Sequence, residues 1–119
     1  MTRKYQIANT EFINETSIQE ITIQGEVMKT TPGLYKILSE LLANQNKIYT
    51  KIQIEKILGI RHDKRGNGGY RGSHTVYTFI SNIKCEFKRI SKILQGKGLD
   101  VDLRFILVTK KDQGYYLKT

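Results

Sequence analysis

The sequence predicts an α+β domain with an N-terminal antiparallel β-sheet, three helices and a C-terminal β-hairpin. Three observations carry that expectation. Ile21, Ile23 and then Val27 alternate with mostly polar residues, as half-buried strands do. Three apolar stripes of helical spacing come next. Two short β-rich runs then flank the turn Lys110-Lys111-Asp112-Gln113-Gly114, as in a hairpin.

Each element follows in order. Residues 1–11 read as an N-terminal arm or a strand. Phe12-Ile13-Asn14-Glu15 leads to a turn, Ile18, Ile21 and Ile23 form a β-rich run, and Gly25-Glu26 marks a hairpin tip. The first helix has Thr31 as N-cap and Pro32 at its first position, where the missing N–H does no harm. Leu34, Ile37, Leu38, Leu41 and Leu42 form its stripe, which fades at Asn44-Gln45-Asn46. Thr50 caps a second helix with Ile54, Ile57 and Leu58 on its apolar side, and Gly59 ends it. A polar, glycine-rich loop spans 61–72. The third helix runs from Ser73 or His74 to Leu94. Its apolar residues Val76, Ile80, Ile83, Phe87, Ile90 and Leu94 recur at steps of 4, 3, 4, 3 and 4, which makes one narrow stripe. Strands at about Leu103–Val108 and Tyr115–Lys118 close the chain. This order is that of a winged helix-turn-helix, with the hairpin as the wing.

The 119 residues suffice for one domain, spanning 1–119, and not for two. With 39% hydrophobic and 26% charged residues the chain should fold rather than stay disordered. No apolar run approaches the roughly 20 residues that span a bilayer, and the basic start Met1-Thr2-Arg3-Lys4 is not followed by the apolar stretch of a secretory signal. The single Cys85 can form no internal disulfide and no cysteine-based zinc site. A cytoplasmic location is expected.

The net charge of +9 is unevenly spread. Residues 1–58 hold seven Lys/Arg against six Asp/Glu, and residues 59–119 hold thirteen against five. A basic half on a balanced domain is the footprint of a polyanion-binding protein; a solvated basic face is the bland alternative. Opposite the apolar stripe of the third helix fall Thr78, Ser81, Asn82, Cys85, Lys88, Arg89 and Lys92. Such a helix fits the DNA major groove, where Ser81 and Asn82 would meet base edges and Lys88, Arg89 and Lys92 would hold phosphates. Lys110 and Lys111 at the hairpin tip, with Tyr115 beyond, would reach the backbone or the adjacent minor groove. By strand alternation only one of Tyr115 and Tyr116 should face outward.

No catalytic constellation emerges, and neither an enzyme nor a cofactor is expected. Gly66 and Gly68 would need a glycine at Arg71 to make a dinucleotide-binding turn, and no Gly-Lys-Ser/Thr of a phosphate-binding loop occurs. His62 and His74 are joined by no cysteine or acidic cluster, so no metal is expected. Asp100 and Asp102 read as a solvated turn. Cys85 has only Lys84, Lys88 and Arg89 nearby to lower its pKa and is read as a bystander.

Four segments in register resemble the effector domain of OmpR/PhoB-type response regulators: Gly25 with Thr31-Pro32 and Tyr35-Lys36-Ile37-Leu38; Ile48-Tyr49-Thr50; Thr75 to Lys84; and Val108-Thr109-Lys110-Lys111-Asp112-Gln113-Gly114-Tyr115. The resemblance covers about residues 12–118. It implies a bacterial, winged-helix DNA-binding regulator, with contacts on Phe79, Ser81, Asn82 and Lys84 in the helix and on Thr109, Lys111 and Tyr115 in the wing. Leu34 stands where the family usually has Glu, and Phe79 where it often has His. Ser81 and Asn82 replace positions often occupied by Arg, so either the DNA sequence read should differ or the affinity should be lower. The loop 61–72 stands in the place of the family's transactivation loop, so Arg61, Lys64, Arg65 and Arg71 are candidate contacts to DNA or RNA polymerase; a surface loop without a partner fits equally well.

The expected function is a sequence-specific, double-stranded DNA-binding transcriptional regulator, with helix 74–94 in the major groove and the wing 109–115 on backbone or minor groove. A dimer on DNA is compatible with it. The alternative is a protein-interaction winged helix that docks on RNA polymerase or another regulator. A receiver domain would need roughly 120 more residues, so aspartate phosphorylation is not expected as the switch.

Overall fold

Strands β1 (Thr2–Ile7), β2 (Thr10–Glu15), β3 (Glu20–Ile23) and β4 (Glu26–Val27) pair antiparallel in chain order. The computed structural model describes residues 2–59 and 69–118, with side chains from Val76 onward in the second stretch. Most of the 1–11 segment is thus strand rather than arm. Tyr5 faces Phe12 and Phe12 faces Ile23, so one sheet face carries Ile7, Thr10, Phe12, Asn14, Ile21 and Ile23, all buried. Val27 corrects the sequence expectation: it is exposed, and Met28 is buried instead. Across the Gln24-Gly25 turn, Thr22 pairs with Val27, while the Met28 N–H donates to the Ile21 carbonyl at 2.9 Å. Cross-strand partners share a face, so the turn, not the odd-number run, sets which residue points inward.

Helix α1 (Pro32–Ala43) starts at Thr31, whose hydroxyl accepts from the Leu34 N–H. Leu34, Tyr35, Ile37, Leu38, Leu41 and Leu42 are its buried residues. Helix α2 (Lys51–Leu58) starts with a capping box: the Thr50 hydroxyl accepts from the Gln53 N–H, and the Gln53 side chain accepts from the Thr50 N–H. Gly59 ends it in the left-handed region at φ 74°, where glycine carries no Cβ penalty.

Helix α3 (Gly69–Gly96) is longer than expected at both ends. Its first turn runs through Gly69 and Gly72, residues of poor helix propensity, so the continuing helix overrides local preference there. Residues 69–72 are therefore helical rather than part of the loop, and residues 61–68 lie outside the described residues. The whole predicted stripe, Val76, Ile80, Ile83, Phe87, Ile90 and Leu94, is at most 2% exposed. Phe87 meets Phe12 edge to face at 6.1 Å between centroids, which joins α3 to the sheet. Each such fully buried side chain contributes about 1.5–3 kcal/mol.

The wing is β5 (Leu107–Lys110) paired with β6 (Gly114–Leu117). The sequence pattern starts the first strand at Leu103, and here the structure differs. Leu103 and Ile106 are buried like strand residues, but they belong to an irregular segment. The Leu103 N–H donates to the Ser91 hydroxyl at 2.8 Å, and that hydroxyl donates to the Phe87 carbonyl at 2.7 Å. A side chain of α3 thus supplies the partner a strand would have supplied. The far edge of β6 is held by the α1–α2 connection. Tyr49 and Tyr115 exchange backbone hydrogen bonds of 2.8 and 2.9 Å, and the Asn46 N–H donates to the Leu117 carbonyl at 2.7 Å. Gly114 makes this approach feasible: its φ is +141°, and a Cβ there would lie 2.0 Å from the Tyr49 carbonyl oxygen.

Candidate nucleic-acid interface

With its stripe docked on the core, α3 turns its opposite face to solvent. Thr78, Asn82, Cys85, Lys88 and Lys92 are exposed there, and Ser81, Lys84 and Arg89 are half-buried. The helical repeat divides the margins of this face into two flanks. One borders the N-terminal sheet and carries Glu86 and Arg89. The other borders the wing and carries Tyr77, Ser81, Lys84 and Lys88, at steps of four, three and four.

The sheet-side flank is tied down. Glu86 accepts from the Lys29 N–H at 2.7 Å and from the Arg89 guanidinium at 2.8 and 2.9 Å. The Arg89 hydrogen bond holds the Glu86 carboxyl below its usual range, against the opposing effect of burial. Arg89 also donates to the Val27 carbonyl at 3.3 Å, and its own pKa is raised by Glu86. Arg89, expected to hold a phosphate, is thus also engaged within the fold, where its guanidinium joins α3 to β4 and the segment after it. Glu86, one position outside the predicted polar face, was the missed partner.

The wing-side flank is open. Thr109, Lys110, Lys111, Asp112 and Gln113 are exposed. Lys84 donates from Nζ to the Thr109 hydroxyl at 2.8 Å, so the two residues bridge helix and wing. Tyr115 corrects another expectation. Its side chain is only 5% exposed, and burial, then the nearby Tyr77 phenol, push its pKa up. It anchors the wing from inside, and alternation leaves Tyr116 half-buried on the other face. Phe79, implied by resemblance, also packs inward: a Cβ on Gly33 would lie 2.7 Å from its ring.

A groove of about 520 Å³ separates the start of α2 from the wing and is lined by Thr50, Lys51, Ile52, Glu55 and residues 109–115. Lys51 on one wall and Lys110 and Lys111 on the other give it cationic margins. Lys51 and Tyr77 were missed by sequence reasoning. Tyr77 precedes Lys84 by two helical turns, and that spacing alone would have placed it on the wing-side flank. Arg61, Lys64 and Arg65 lie outside the described residues, as does the side chain of Arg71. Among the described residues, no group of three or more His, Cys, Asp or Glu could hold a metal ion, and no helix is long and apolar enough to cross a membrane.

No protein-family model and no curated protein matches the sequence. Solved structures do match in shape. The DNA-binding domain of the response regulator AdeR, in complex with an intercistronic region, superposes with a TM-score of 0.63 at 17% identity, over 91% of this chain and 93% of that one. The C-terminal DNA-binding domain of RstA from Klebsiella pneumoniae gives 0.62 at 16% identity, over 90% and 83%. The C-terminal effector domain of BfmR from Acinetobacter baumannii gives 0.53 at 18%, over 99% and 92%. The fold is the winged helix of response-regulator effector domains. It is the architecture implied by the sequence resemblance to the OmpR/PhoB type, and it spans nearly the whole chain. Within it, α3 is the last helix and β5–β6 the C-terminal hairpin.

Proposed function

We propose that this chain is a sequence-specific, double-stranded DNA-binding transcriptional regulator. In this reading the outer face of α3 enters the major groove and the wing rests on backbone or minor groove. The observation that carries the reading is that the solvent face of α3 and the wing tip are joined through Lys84 and Thr109. Thr78, Ser81, Asn82, Cys85, Lys84, Lys88 and Lys92 then present one surface with Thr109, Lys110 and Lys111. Thr78 and Cys85 lie at its centre, and Lys84 and Lys88 lie on its wing-side margin with Ser81. Central side chains meet base edges, and marginal cations meet phosphates. The reading is supported by the AdeR and RstA domains, whose shape it shares and which have been solved with an intercistronic region and with the RstA box respectively.

Binding to randomised duplexes, followed across salt concentration, tests it. A recovered consensus and an affinity that falls steeply with salt are expected. Asn82→Ala should cost about 1–3 kcal/mol on the consensus and relax preference at one position. A chain without duplex affinity at low salt would overturn the reading and leave docking on RNA polymerase or another regulator as the use of this surface.

A further inference from the structure

We infer that Tyr77 is a DNA-backbone anchor, its phenol hydroxyl donating a hydrogen bond to a phosphate of the strand that passes between α3 and the wing. The inference rests on the DNA-binding reading above and adds to it a residue outside the predicted contact set. Tyr77 is 65% exposed, a large aromatic side chain left in solvent on the wing-side margin of this surface. It belongs to the wing-side flank with Ser81, Lys84 and Lys88, and Lys84 on that flank touches Thr109 of the wing. Its phenol is close enough to Tyr115 to influence that group electrostatically, and Tyr115 lines the groove between α2 and the wing. Tyr77 therefore stands on the face of α3 that borders the wing.

The helix dimensions decide what it meets there. An α-helix with side chains is about 10–12 Å across and the major groove about 12 Å wide. Residues at the centre of the outer face, such as Thr78 and Cys85, point toward the groove floor. A residue on the flank meets the groove wall, which is sugar and phosphate. The hydroxyl at the end of a long, rigid ring suits that distance, and a donor to an anionic oxygen makes a charge-assisted bond. Lys51, Lys110 and Lys111 beside the groove draw the same strand inward.

The test measures duplex affinity of the wild-type chain, Tyr77→Phe and Tyr77→Ala on a selected and an unrelated sequence, with salt titrations and thermal melts. Tyr77→Phe should bind both duplexes about tenfold more weakly. Its salt slope should stay unchanged, because a neutral hydroxyl releases no counterion, and its melting temperature should match the wild type. Wild-type affinity in Tyr77→Phe would overturn the assignment. So would a loss confined to the selected sequence, which would make Tyr77 a base reader. A lowered melting temperature matching the binding loss would also overturn it, since the phenol would then act by supporting Tyr115. Failure of the wild-type chain to bind any duplex sinks the DNA reading itself, and that is seen before any substitution is compared.

Discussion

Both flanks of α3 carry cations, and the two sets of cations do different things. On the sheet side, Arg89 is held by Glu86 and the Val27 carbonyl, and Glu86 also takes the Lys29 N–H. On the wing side, Lys88 is exposed and, among the described residues, Lys84 donates to the neutral Thr109 hydroxyl. A cation beside a carboxylate fixes the architecture; a cation without one keeps its charge available to a polyanion. Counting basic residues along the helix cannot separate the two. What separates them is whether a neighbouring element brings a carboxylate or a carbonyl within reach.

Both flanks stand on one foundation. Ile83 lies fully buried beneath them. Ile83→Ala should open a cavity and cost about 2–5 kcal/mol, measured by denaturant unfolding, and should loosen both flanks together. A negligible loss would mean that α3 faces another way. Gly114→Ala should disturb the wing side alone. It forces a side chain into a left-handed conformation and against the Tyr49 carbonyl, costing about 1–3 kcal/mol for the backbone strain. Amide exchange should accelerate at Tyr49 and Tyr115 while the Lys29 amide keeps its protection.

Two smaller effects set the flanks further apart. Replacing Lys110 and Lys111 together by Ala should leave stability within about 0.5 kcal/mol, since exposed tip residues contribute little. It should lower the salt slope of duplex binding by about 0.9 for each phosphate that is no longer neutralised. A full slope in the double variant would take the wing off the DNA. Arg89→Ala should do the reverse: a stability loss of about 1 kcal/mol or less, with the slope untouched. A slope reduced by about 0.9 would show that Arg89 leaves Glu86 to hold a phosphate.

Much of this fold was legible because it is written in periods and caps. The α3 stripe holds its spacing across the helix, and Thr31, Pro32, Thr50 and Gly59 punctuate α1 and α2 as capping chemistry requires. What was not legible depends on partners distant in sequence. Leu103 and Ile106 look like a strand, yet Ser91 captures the Leu103 amide. Val27 looks inward by parity, yet the hairpin pairing turns it out. The surface shows the same division. Its cations and polar centre could be read from helical spacing. The diversion of Arg89, the burial of Tyr115 and the exposure of Tyr77 needed the neighbouring elements in place.

The stitching of the wing strand to the α1–α2 connection has a consequence for how the molecule comes into being. Tyr49 leaves the ribosome well before its backbone partner Tyr115, which lies more than half of the 119 residues further on. Until the wing is made, the Tyr49 N–H lacks its Tyr115 carbonyl partner. Closing so long a loop is entropically costly and slow. The helices can gather around the stripe of α3 beforehand, but the wing must follow them. A growing polypeptide would therefore acquire its hydrophobic centre before the wing completes its basic surface.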